Sequence, residues 1–336
     1  MKLFNRDLDR DIAIVAEIGV NHEGSEDAAK QLVELAAGAG ADAVKFQTYT
    51  PERFVSANDP DRLDRVRRFA LDEAAHRGLA KHAAKTGISF FSTAVTEDVV
   101  PLLNELCPAI KIASGDLTFE PTIRAAARTG KPMIVSTGLG SITEIDRTVA
   151  WVGDEIGDHE LRDRLVLMHC VSAYPVPIEE ANVLSVPYLA ERYPVTVGYS
   201  NHVIGAEACH AAVALGAKLI EVHFTDQKSD RTFRDHALSF EPAELQELVG
   251  ALRKISASLG TSGKVIQKCE GSALAATRKG VVAARDLSSG TVLAQEDLMY
   301  ARPALEFAAD EAESLIGRKV TLALRTGELI PRNGIG

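Results

Sequence analysis

Cysteine is scarce in this chain, and long apolar runs are missing. Four cysteines occur among 336 residues with no paired spacing: Cys107, Cys170, Cys209 and Cys269. This usage favours reduced thiols in a cytoplasm over a disulfide framework. The early apolar run 12–20 is short and is interrupted by Glu17. It therefore predicts neither a membrane span nor a secretory leader.

A surplus of positive charge is also absent. Lys and Arg total 37 against 47 Asp and Glu, which leaves a formal net charge of −10 at pH 7. Because nucleic acid and anionic membrane surfaces attract basic proteins, we expect neither as a partner. Any anionic substrate must then be bound by a local basic pocket.

Strand-like and helix-like patterns alternate from residue 12 to residue 260. The predicted strands are 12–18, 43–47, 88–92, 110–113, 133–136, 165–170, 195–199 and 219–224. Helical stretches follow most of them, for example 26–39, 73–86 and 242–259. Eight such units in roughly 250 residues predict an α/β fold, the closed (β/α)8 TIM barrel. A doubly wound open sheet is the structural alternative.

The pattern changes after Gly260. We expect the barrel to occupy residues 1–260 and a polar linker to follow over residues 261–276. Residues 277–336 then show short strand-like runs separated by turn residues, at 281–284, 286–290, 320–323 and 325–328. These runs predict a small, mostly β domain, which by itself says little about function.

Two histidines stand at the ends of neighbouring predicted strands. Residues 205–216, between His202 and His223, are typical of one Ala-rich helix. A strand–helix–strand unit places its strands parallel and adjacent, so both histidines should lie at the same edge of the sheet. Two imidazoles there can share one divalent metal. Two unrelated strand-end histidines are the other interpretation of the pair alone.

Polar side chains follow all eight predicted strands, at the ends where the active site of a barrel lies. In chain order they are Glu17 and Asn21; Lys45 and Gln47; Ser92 and Thr93; Lys111 and Ser114; Ser136 and Thr137; His169, Ser172 and Tyr174; Ser200, Asn201 and His202; Glu221 and His223. One such residue is easily explained as solvated surface. Eight polar ends together predict an active site.

The chemistry of this set is specific. Lys45 and Lys111, with the surrounding hydroxyls, predict a pocket for phosphate or carboxylate. His202 and His223 would fill half of a metal shell and leave positions for water and substrate, which suits Lewis-acid catalysis. Glu17 could act as a general base or orient a water, and a structural ion pair with one lysine is the alternative.

Several motifs resemble those of the sialic acid synthases, which condense phosphoenolpyruvate with an N-acyl amino sugar. In the family's order they are AEIGVNHEGS at 16–25, VKFQT at 44–48, FST at 91–93, KIASGD at 111–116, GKPMIVSTG at 130–138, HC at 169–170, YP at 174–175, GYSNH at 198–202 and HFT at 223–225. The segment VVAARDLSSG at 281–290, with Arg302 and Pro303, is similar to the family's antifreeze-like (SAF) domain. The resemblance covers nearly the whole chain.

The resemblance implies a reaction and a set of residue roles. A divalent metal, manganese or magnesium, held by His202 and His223, would activate the open-chain sugar aldehyde for attack by phosphoenolpyruvate. Glu17 would orient or activate the water whose addition precedes loss of phosphate. The residues implied to bind phosphoenolpyruvate are Lys45, Lys111, Thr93, Ser114, Ser136 and Ser200. Those implied to bind the sugar are Gln47, Tyr174, Asp235 and Arg302, and we also expect substrate contacts from Asn21 and Ser172.

In such enzymes the antifreeze-like domain of one subunit covers the barrel of the other. The resemblance thus implies a domain-swapped homodimer, with Arg302 reaching the N-acyl group of the sugar bound by its partner. It also implies a role in surface polysaccharide or glycan synthesis.

Several positions depart from the family pattern, most of them on the sugar side. They are Ala94, Ser172, Asn201, Arg234, Ala276 and Ala304. We therefore expect phosphoenolpyruvate condensation to be retained, with N-acetylmannosamine as the default acceptor. A 6-deoxy diacetamido sugar, giving a legionaminic- or pseudaminic-type product, is the competing acceptor. Arg234 could favour a charged acceptor, and a solvated surface arginine is equally consistent with the sequence.

Two further hypotheses come from other mechanistic classes. A Schiff-base aldolase on the same barrel would use Lys111 or Lys45 as its nucleophile and would need no metal. A non-catalytic sugar-binding or antifreeze-like protein could have inherited the scaffold. The presence of Glu17, His202 and His223 beside the two lysines argues against that last hypothesis.

Overall fold

A computed structural model describes residues 1–336. The chain forms two compact units, Met1–Gly260 and Thr261–Gly336. None of the helices combines the length and the apolar character needed to cross a lipid bilayer.

The first unit contains a closed barrel of eight strands, each paired in parallel with its neighbours. The strands are β1 Ala13–Gly19, β2 Ala43–Thr48, β3 Ser89–Ala94, β4 Ile110–Ile112, β5 Met133–Ser136, β6 Leu165–His169, β7 Thr196–Asn201 and β8 Leu219–His223. Because β8 pairs with β1, the sheet has no free edge. The predicted barrel is confirmed, and the open sheet is excluded.

The helices mostly connect successive strands around the barrel. They are α1 Glu26–Gly38, α2 Pro51–Phe54, α3 Pro60–Phe69, α4 Glu73–Thr86, α5 Val100–Leu106, α6 Glu120–Arg128, α7 Ile142–Ile156, α8 Leu161–Arg164, α9 Ser185–Arg192, α10 Glu207–Ala214, α11 Asp235–Leu238, α12 Pro242–Ser258 and α13 Leu274–Thr277. Short 3-10 helices also occur, including Ser114–Asp116 after β4 and Ile178–Glu180 after β6.

Local sequence explains where several helices begin and end. Ser25 and Asp72 accept hydrogen bonds from the first turns of α1 and α4, and Ser141 forms a capping box with Glu144 at the start of α7. The helix predicted over 205–216 is shorter in the structure, as α10. Gly205 and Gly216 both have positive φ, a conformation that a helix does not contain.

The N-terminal residues pack into one end of the barrel. A hairpin pairs Lys2–Leu3 with Arg6–Asp7, and the buried ring of Phe4 lies 4.7 Å from that of Phe91 on β3. The hairpin thus fills apolar space inside the barrel. The polar side chains of the barrel interior lie nearer the carboxyl ends of the strands.

A second apolar cluster is built mostly from the segment between β2 and β3, which carries α2 and α3. Its buried members are Val20, Tyr49, Val55, Leu63, Val66 and Val95, and Phe54, Phe69, Ala70 and Phe233 pack against them. We call this group the rim cluster, because Val20 and Phe233 belong to the loops after β1 and β8. The rim cluster packs α3 against the loops that follow β1 and β8.

The unit Thr261–Gly336 has its own core, which includes Val281, Leu298, Phe307 and Leu315. Two antiparallel strands, β9 Gly280–Ala283 and β10 Leu298–Ala301, pair Gly280 with Ala301. The strand predicted at 281–284 is therefore present, shifted by one residue, whereas β10 was not predicted.

The other three strands predicted in this unit are wrong. Residues 286–290 and 320–323 form only isolated bridges, such as Leu287 with Leu324, and residues 325–328 form a turn. Gly290 and Gly327 adopt positive φ and turn the chain before a longer ladder can form.

Candidate active site

Four buried charged side chains meet inside the barrel near the strand carboxyl ends. They come from β1, β2, β4 and β8, and each is at most 4% exposed: Glu17, Lys45, Lys111 and Glu221. Since side chains alternate along a strand, Glu221 and His223 on β8 face the same way. We call these four residues the charge network.

Glu221 is the centre of the charge network. Its carboxylate accepts from Lys111 Nζ at 2.9 and 3.2 Å, and it lies 3.1 Å from Lys45 Nζ. Ser200 on β7 donates to the same carboxylate at 3.2 Å. Lys45 in turn donates to Thr93 Oγ1 at 3.3 Å. Two carboxylates thus balance two ammoniums in a space nearly closed to bulk water, where unpaired charges would be costly.

The two carboxylates of the network differ in proton affinity. Burial raises the pKa of Glu17, and the repulsion from Glu221 adds to this rise, because the ammoniums of Lys45 and Lys111 do not offset the loss of water. Burial also favours the neutral form of Glu221, but the ammoniums of Lys111 and Lys45 together outweigh it and hold its pKa low. Glu221 is therefore a fixed anion, and Glu17 is the carboxylate that can exchange a proton.

Glu17 lies beside Lys45 but is incompletely satisfied. Its Oε2 is 3.3 Å from Lys45 Nζ and forms no hydrogen bond. The ion pair considered as an alternative role is therefore present, with one carboxylate oxygen left free to accept. The Nε2 of Gln47 and the Oε1 of Glu17 both approach Gly19, which places these two side chains on the same side of the site.

His202 and His223 lie together, as the strand–helix–strand unit predicts. Their ring centroids are 5.3 Å apart, and the ring of Tyr174 lies 4.3 Å from His202 and 5.9 Å from His223. His202 Nδ1 donates to Val171 O at 2.6 Å, which leaves Nε2 unprotonated. Burial lowers the pKa of both histidines, to about 4 for His202, so both rings are neutral.

Neutral imidazoles with a free nitrogen are suitable metal ligands, and the hydrogen bond to Val171 is of the kind that orients a ligating histidine. No third histidine, cysteine or carboxylate completes a metal-binding group. The donor set therefore fits a divalent ion that keeps most of its positions for water and substrate oxygens.

A small hydroxyl-lined space surrounds Gly138, just after β5. A Cβ at this position would lie 2.7 Å from Ser114 Oγ and 3.0 Å from Cys170 Sγ, and closer still to Ser172 Oγ. Ser114 and Cys170 are in contact at 3.1 Å, whereas Ser172 Oγ is buried with no hydrogen-bond partner. We call this space the hydroxyl cradle. Ser136 is buried at the end of β5, two residues before Gly138.

The opposite side of the site is built by loops. Asp235, at the start of α11, is 8% exposed, and its Oδ2 lies 4.0 Å from His223 Nδ1. Burial raises the pKa of Asp235 against the opposing charge of Arg234. The guanidinium of Arg234 lies over the ring of Tyr174, 4.9 Å from its centroid, and its Nε donates to Asp235 at 3.3 Å.

Asn21 connects the loop after β1 to the loop after β8. Its amide nitrogen donates to Phe224 O at 2.8 Å and to Ser239 Oγ at 3.1 Å, whereas Oδ1 is buried without a partner. Only that oxygen is left for a substrate contact. Arg302 is exposed and belongs to the unit Thr261–Gly336.

Glu221 is the residue whose role sequence reasoning missed. The polar strand ends include it, but no function follows for it from the motifs. Two signals pointed to it: its position two residues before His223 places both side chains on the inner face of β8, and two buried lysines require a compensating carboxylate.

Comparisons with known proteins agree with this architecture. Residues 32–264 match the NeuB family and residues 278–335 match the SAF domain. The chain is 36% identical to the N,N'-diacetyllegionaminic acid synthase of Campylobacter jejuni, over 94% of this chain and 98% of that protein. It is 30% identical to the human N-acetylneuraminate-9-phosphate synthase, over 94% and 90% of the two chains.

A solved structure is similar as well. The crystal structure of an N-acetylneuraminic acid (sialic acid) synthetase from Leptospira borgpetersenii superposes with a TM-score of 0.76 at 31% identity, covering 81% of this chain and 94% of that one. The resemblance seen in the motifs is thereby confirmed. This chain belongs to the NeuB family of sialic-acid-type synthases and ends in a SAF domain.

Proposed function

We propose that the protein condenses phosphoenolpyruvate with the open-chain form of an N-acyl amino sugar, giving a nonulosonic acid and phosphate. One observation carries the proposal: a single barrel mouth holds two buried lysines beside the hydroxyl cradle and a pair of neutral histidines next to Tyr174 and Asp235. The first group suits a small anion, and the second suits a metal and a polyhydroxylated acceptor.

Phosphoenolpyruvate would bind on the lysine side. Lys45 and Lys111 supply fixed positive charge, and Thr93, Ser114, Ser136 and Ser200 surround them with hydroxyl donors. In a water-poor site such preorganised donors bind phosphate and carboxylate oxygens strongly. Glu221 holds both ammoniums at defined positions before the substrate arrives. The hydroxyl cradle, with the unpartnered Ser172 Oγ, offers further donors to an anion.

Glu17 would act as the general base for the water that adds to the second carbon of phosphoenolpyruvate. Its Oε2 is free to accept a hydrogen bond, and burial raises its pKa, so it can orient the water and take a proton from it. Lys45, 3.3 Å away, would stabilise the carboxylate before the proton is transferred.

His202 and His223 would hold a divalent ion, manganese or magnesium, which when bound supplies a Lewis acid for the sugar aldehyde. Tyr174 packs against the two imidazoles and thereby limits their movement. Asp235 and Gln47 would accept and donate hydrogen bonds to the sugar hydroxyls. These roles put the acceptor on the loop side of the site.

Two acceptors remain to be compared. N-acetylmannosamine is the default that the motif resemblance implies. A diacetamido-trideoxy hexose is supported by the 36% identity to a protein named N,N'-diacetyllegionaminic acid synthase. The departures at Asn201 and Ser172 lie around the histidines and the hydroxyl cradle, so they do not by themselves select between the two.

Self-association into a homodimer is part of the proposal. Large apolar side chains in the loops after β5, β6 and β7 are exposed, at 80% for Leu139, 54% for Ile178, 67% for Leu184 and 62% for Ile204. Exposed apolar side chains on three consecutive loops are typical of a protein interface, and a second copy of the chain is the partner we expect.

The first experiment measures phosphate release from phosphoenolpyruvate with manganese, using each acceptor with and without EDTA. We expect release with at least one acceptor, loss of release with EDTA, and recovery when manganese is restored. Manganese binding, followed separately by calorimetry, should be lost in the double variant His202→Ala/His223→Ala.

The same samples test the Schiff-base alternative. Only an imine can be trapped as a stable adduct by borohydride in the presence of pyruvate. Trapping at Lys111 or Lys45, together with EDTA-resistant turnover, would replace the proposed mechanism. Absence of phosphate release with both acceptors, in a folded and metal-loaded sample, would contradict the proposed function.

A further inference from the structure

His236 is a buried histidine of α11, and it immediately follows Asp235, the residue we expect to bind the sugar. Its side chain is 1% exposed, and both of its ring nitrogens have partners. Nδ1 lies 2.7 Å from Thr225 Oγ1 in the loop after β8, and Nε2 lies 3.1 Å from Glu23 Oε1 in the loop after β1. His236 therefore bridges the loops that follow two paired strands of the barrel.

The chemistry of these partners fixes the direction of both hydrogen bonds. A carboxylate can only accept, so Nε2 carries a proton and donates to Glu23. Burial lowers the pKa of His236, so the ring is neutral at pH 7, and Nδ1 accepts from the hydroxyl of Thr225. Asp226 and Arg231, the other charged groups that act on the ring, form an ion pair with each other. The neutral ring thus satisfies one donor and one acceptor at once.

A second connection joins the same two loops. The amide nitrogen of Asn21 donates to Ser239 Oγ at 3.1 Å, and Ser239 Oγ donates to the backbone oxygen of Asp235 at 2.6 Å. This connection passes through an intermediate hydroxyl and ends on the backbone. The bond from His236 to Glu23 is direct and is made by a side chain of α11 itself.

α11 cannot fix the position of Asp235 by its own stability. It contains four residues, about one turn, and a helix of this length is not stable without external contacts. The side chain of Asp235 is nonetheless only 11% exposed, and its Oδ2 lies 4.0 Å from His223 Nδ1. The position of this carboxylate is therefore set by the elements to which α11 is attached.

We propose that His236 is a positioning residue for the acceptor. Through its hydrogen bond to Glu23 it holds α11 against the loop after β1, and it thereby keeps the Asp235 carboxylate beside His223. The inference rests on the proposed function, in which Asp235 binds a sugar hydroxyl. His236 would not contact the substrate itself, because both of its ring nitrogens are already engaged.

The test replaces His236 with two amides that each keep one of its contacts. The amide nitrogen of Gln takes the place of Nε2 and can still donate to Glu23, whereas the shorter Asn reaches only Thr225. His236→Asn should raise KM for the acceptor by about tenfold, the effect of losing a hydrogen bond to a charged group. KM for phosphoenolpyruvate should stay within about twofold of wild type. His236→Gln should bring KM for the acceptor back to within about threefold of wild type.

Glu23→Ala removes the same contact from its other side. It should raise KM for the acceptor as much as His236→Asn does. Because the two changes break one interaction, the double variant should exceed either single variant by no more than about twofold. An additive effect, about a hundredfold in the double variant, would overturn the inference. Equal behaviour of the Asn and Gln variants, or equal rises in the two KM values, would also overturn it.

A second histidine–glutamate pair supplies the matched control. His82 Nε2 on α4 lies 3.1 Å from Glu34 Oε1 on α1, the same distance as in the His236 pair, and its side chain is 25% exposed. His82→Asn and Glu34→Ala should leave both KM values unchanged. An acceptor KM raised as much in these variants as in His236→Asn would point to a general loss of stability and would contradict a positioning role.

Amide hydrogen exchange separates failure of this inference from failure of the proposed function, because it needs no substrate. Exchange over residues 225–240 should be about tenfold faster in His236→Asn than in wild type, and close to wild type in His236→Gln. If exchange follows this pattern and neither acceptor is condensed, the bridge is supported and the proposed function fails. If condensation proceeds and exchange is equal in wild type and His236→Asn, only the inference fails.

Discussion

The two sides of the candidate active site are built in different ways. On the lysine side, the charge network comes from strands that are hydrogen-bonded on both edges, and its members are at most 4% exposed. On the acceptor side, Tyr174, Arg234 and Asp235 lie in loops or at the start of a four-residue helix. A strand-borne side chain cannot move without disturbing the sheet, whereas a loop can be changed at lower cost. Under the proposed function, we therefore expect the strands to carry the condensation chemistry and the loops to select the acceptor.

Replacing a strand-borne lysine should have the largest effect. Lys111→Met keeps an unbranched side chain, one atom shorter, but removes the ammonium that we propose binds phosphoenolpyruvate. We expect phosphate release to fall by about 10³-fold, the scale of losing one preorganised electrostatic group. The control is Lys85→Met on the exposed face of α4, which should retain full activity. Comparable activity in both variants would contradict the proposed role of Lys111.

Substitutions on the two sides should also differ in how much they lower the free energy of unfolding. Glu221→Gln leaves two buried ammoniums facing only Glu17, and breaking such a buried network costs about 3–5 kcal/mol of the free energy of unfolding. Asp235→Asn should cost less than about 1 kcal/mol, because the amide keeps the shape of the side chain and removes a charge whose burial already raises the pKa of Asp235. Urea unfolding of both variants measures the difference, and equal losses would remove the distinction between the two sides.

A single methyl group should distinguish the hydroxyl cradle from its neighbouring loop. Gly138→Ala forces a Cβ against Ser114 and Ser172, an overpacking of about 1–3 kcal/mol. We expect KM for phosphoenolpyruvate to rise by about tenfold or more, with KM for the acceptor unchanged. Gly115→Ala is the matched control, since a Cβ there meets no atom within 4 Å. A similar KM in the two variants would show that the anion does not occupy the cradle.

The smallest effect should come from a conservative change on the acceptor side. Asp235→Asn keeps the shape of the side chain but weakens its acceptor strength toward sugar hydroxyls, so KM for the acceptor should rise by about tenfold. KM for phosphoenolpyruvate should stay within about twofold of wild type. Steady-state kinetics with each substrate varied in turn measure this. A larger effect on phosphoenolpyruvate than on the acceptor would mean that the two sides are not separate.

Sequence patterns predicted the strands of the barrel within one or two residues, because buried parallel strands are short apolar runs and helices must separate them. His202 and His223 could be placed together for the same reason. The second domain was predicted less well. Its chain turns at Gly290 and Gly327 and forms only isolated bridges beside these turns, and runs that short do not carry a distinct periodicity.

The role of α3 could not be derived from local pattern. Its run of charged residues is typical of a solvated surface, and nothing in the spacing of Leu63, Val66 and Phe69 tells which loop they meet. The rim cluster that joins Phe69 to Phe233 forms only once the barrel has closed β8 onto β1. The packing of α3 against the loop after β8 is therefore a consequence of long-range contacts.

Residue order alone was enough to establish a barrel with polar strand ends, because strand alternation and the position of helix breaks are local properties. It also identified Lys45, Lys111 and Glu17 as members of one site. Only the tertiary structure decided that Glu221 joins the two lysines, that Ser172 and Ser114 meet at Gly138, and that Arg234 lies over Tyr174. Each of these contacts joins residues from different strands or loops of the barrel, and such distances are set by closure of the sheet and by no local sequence signal.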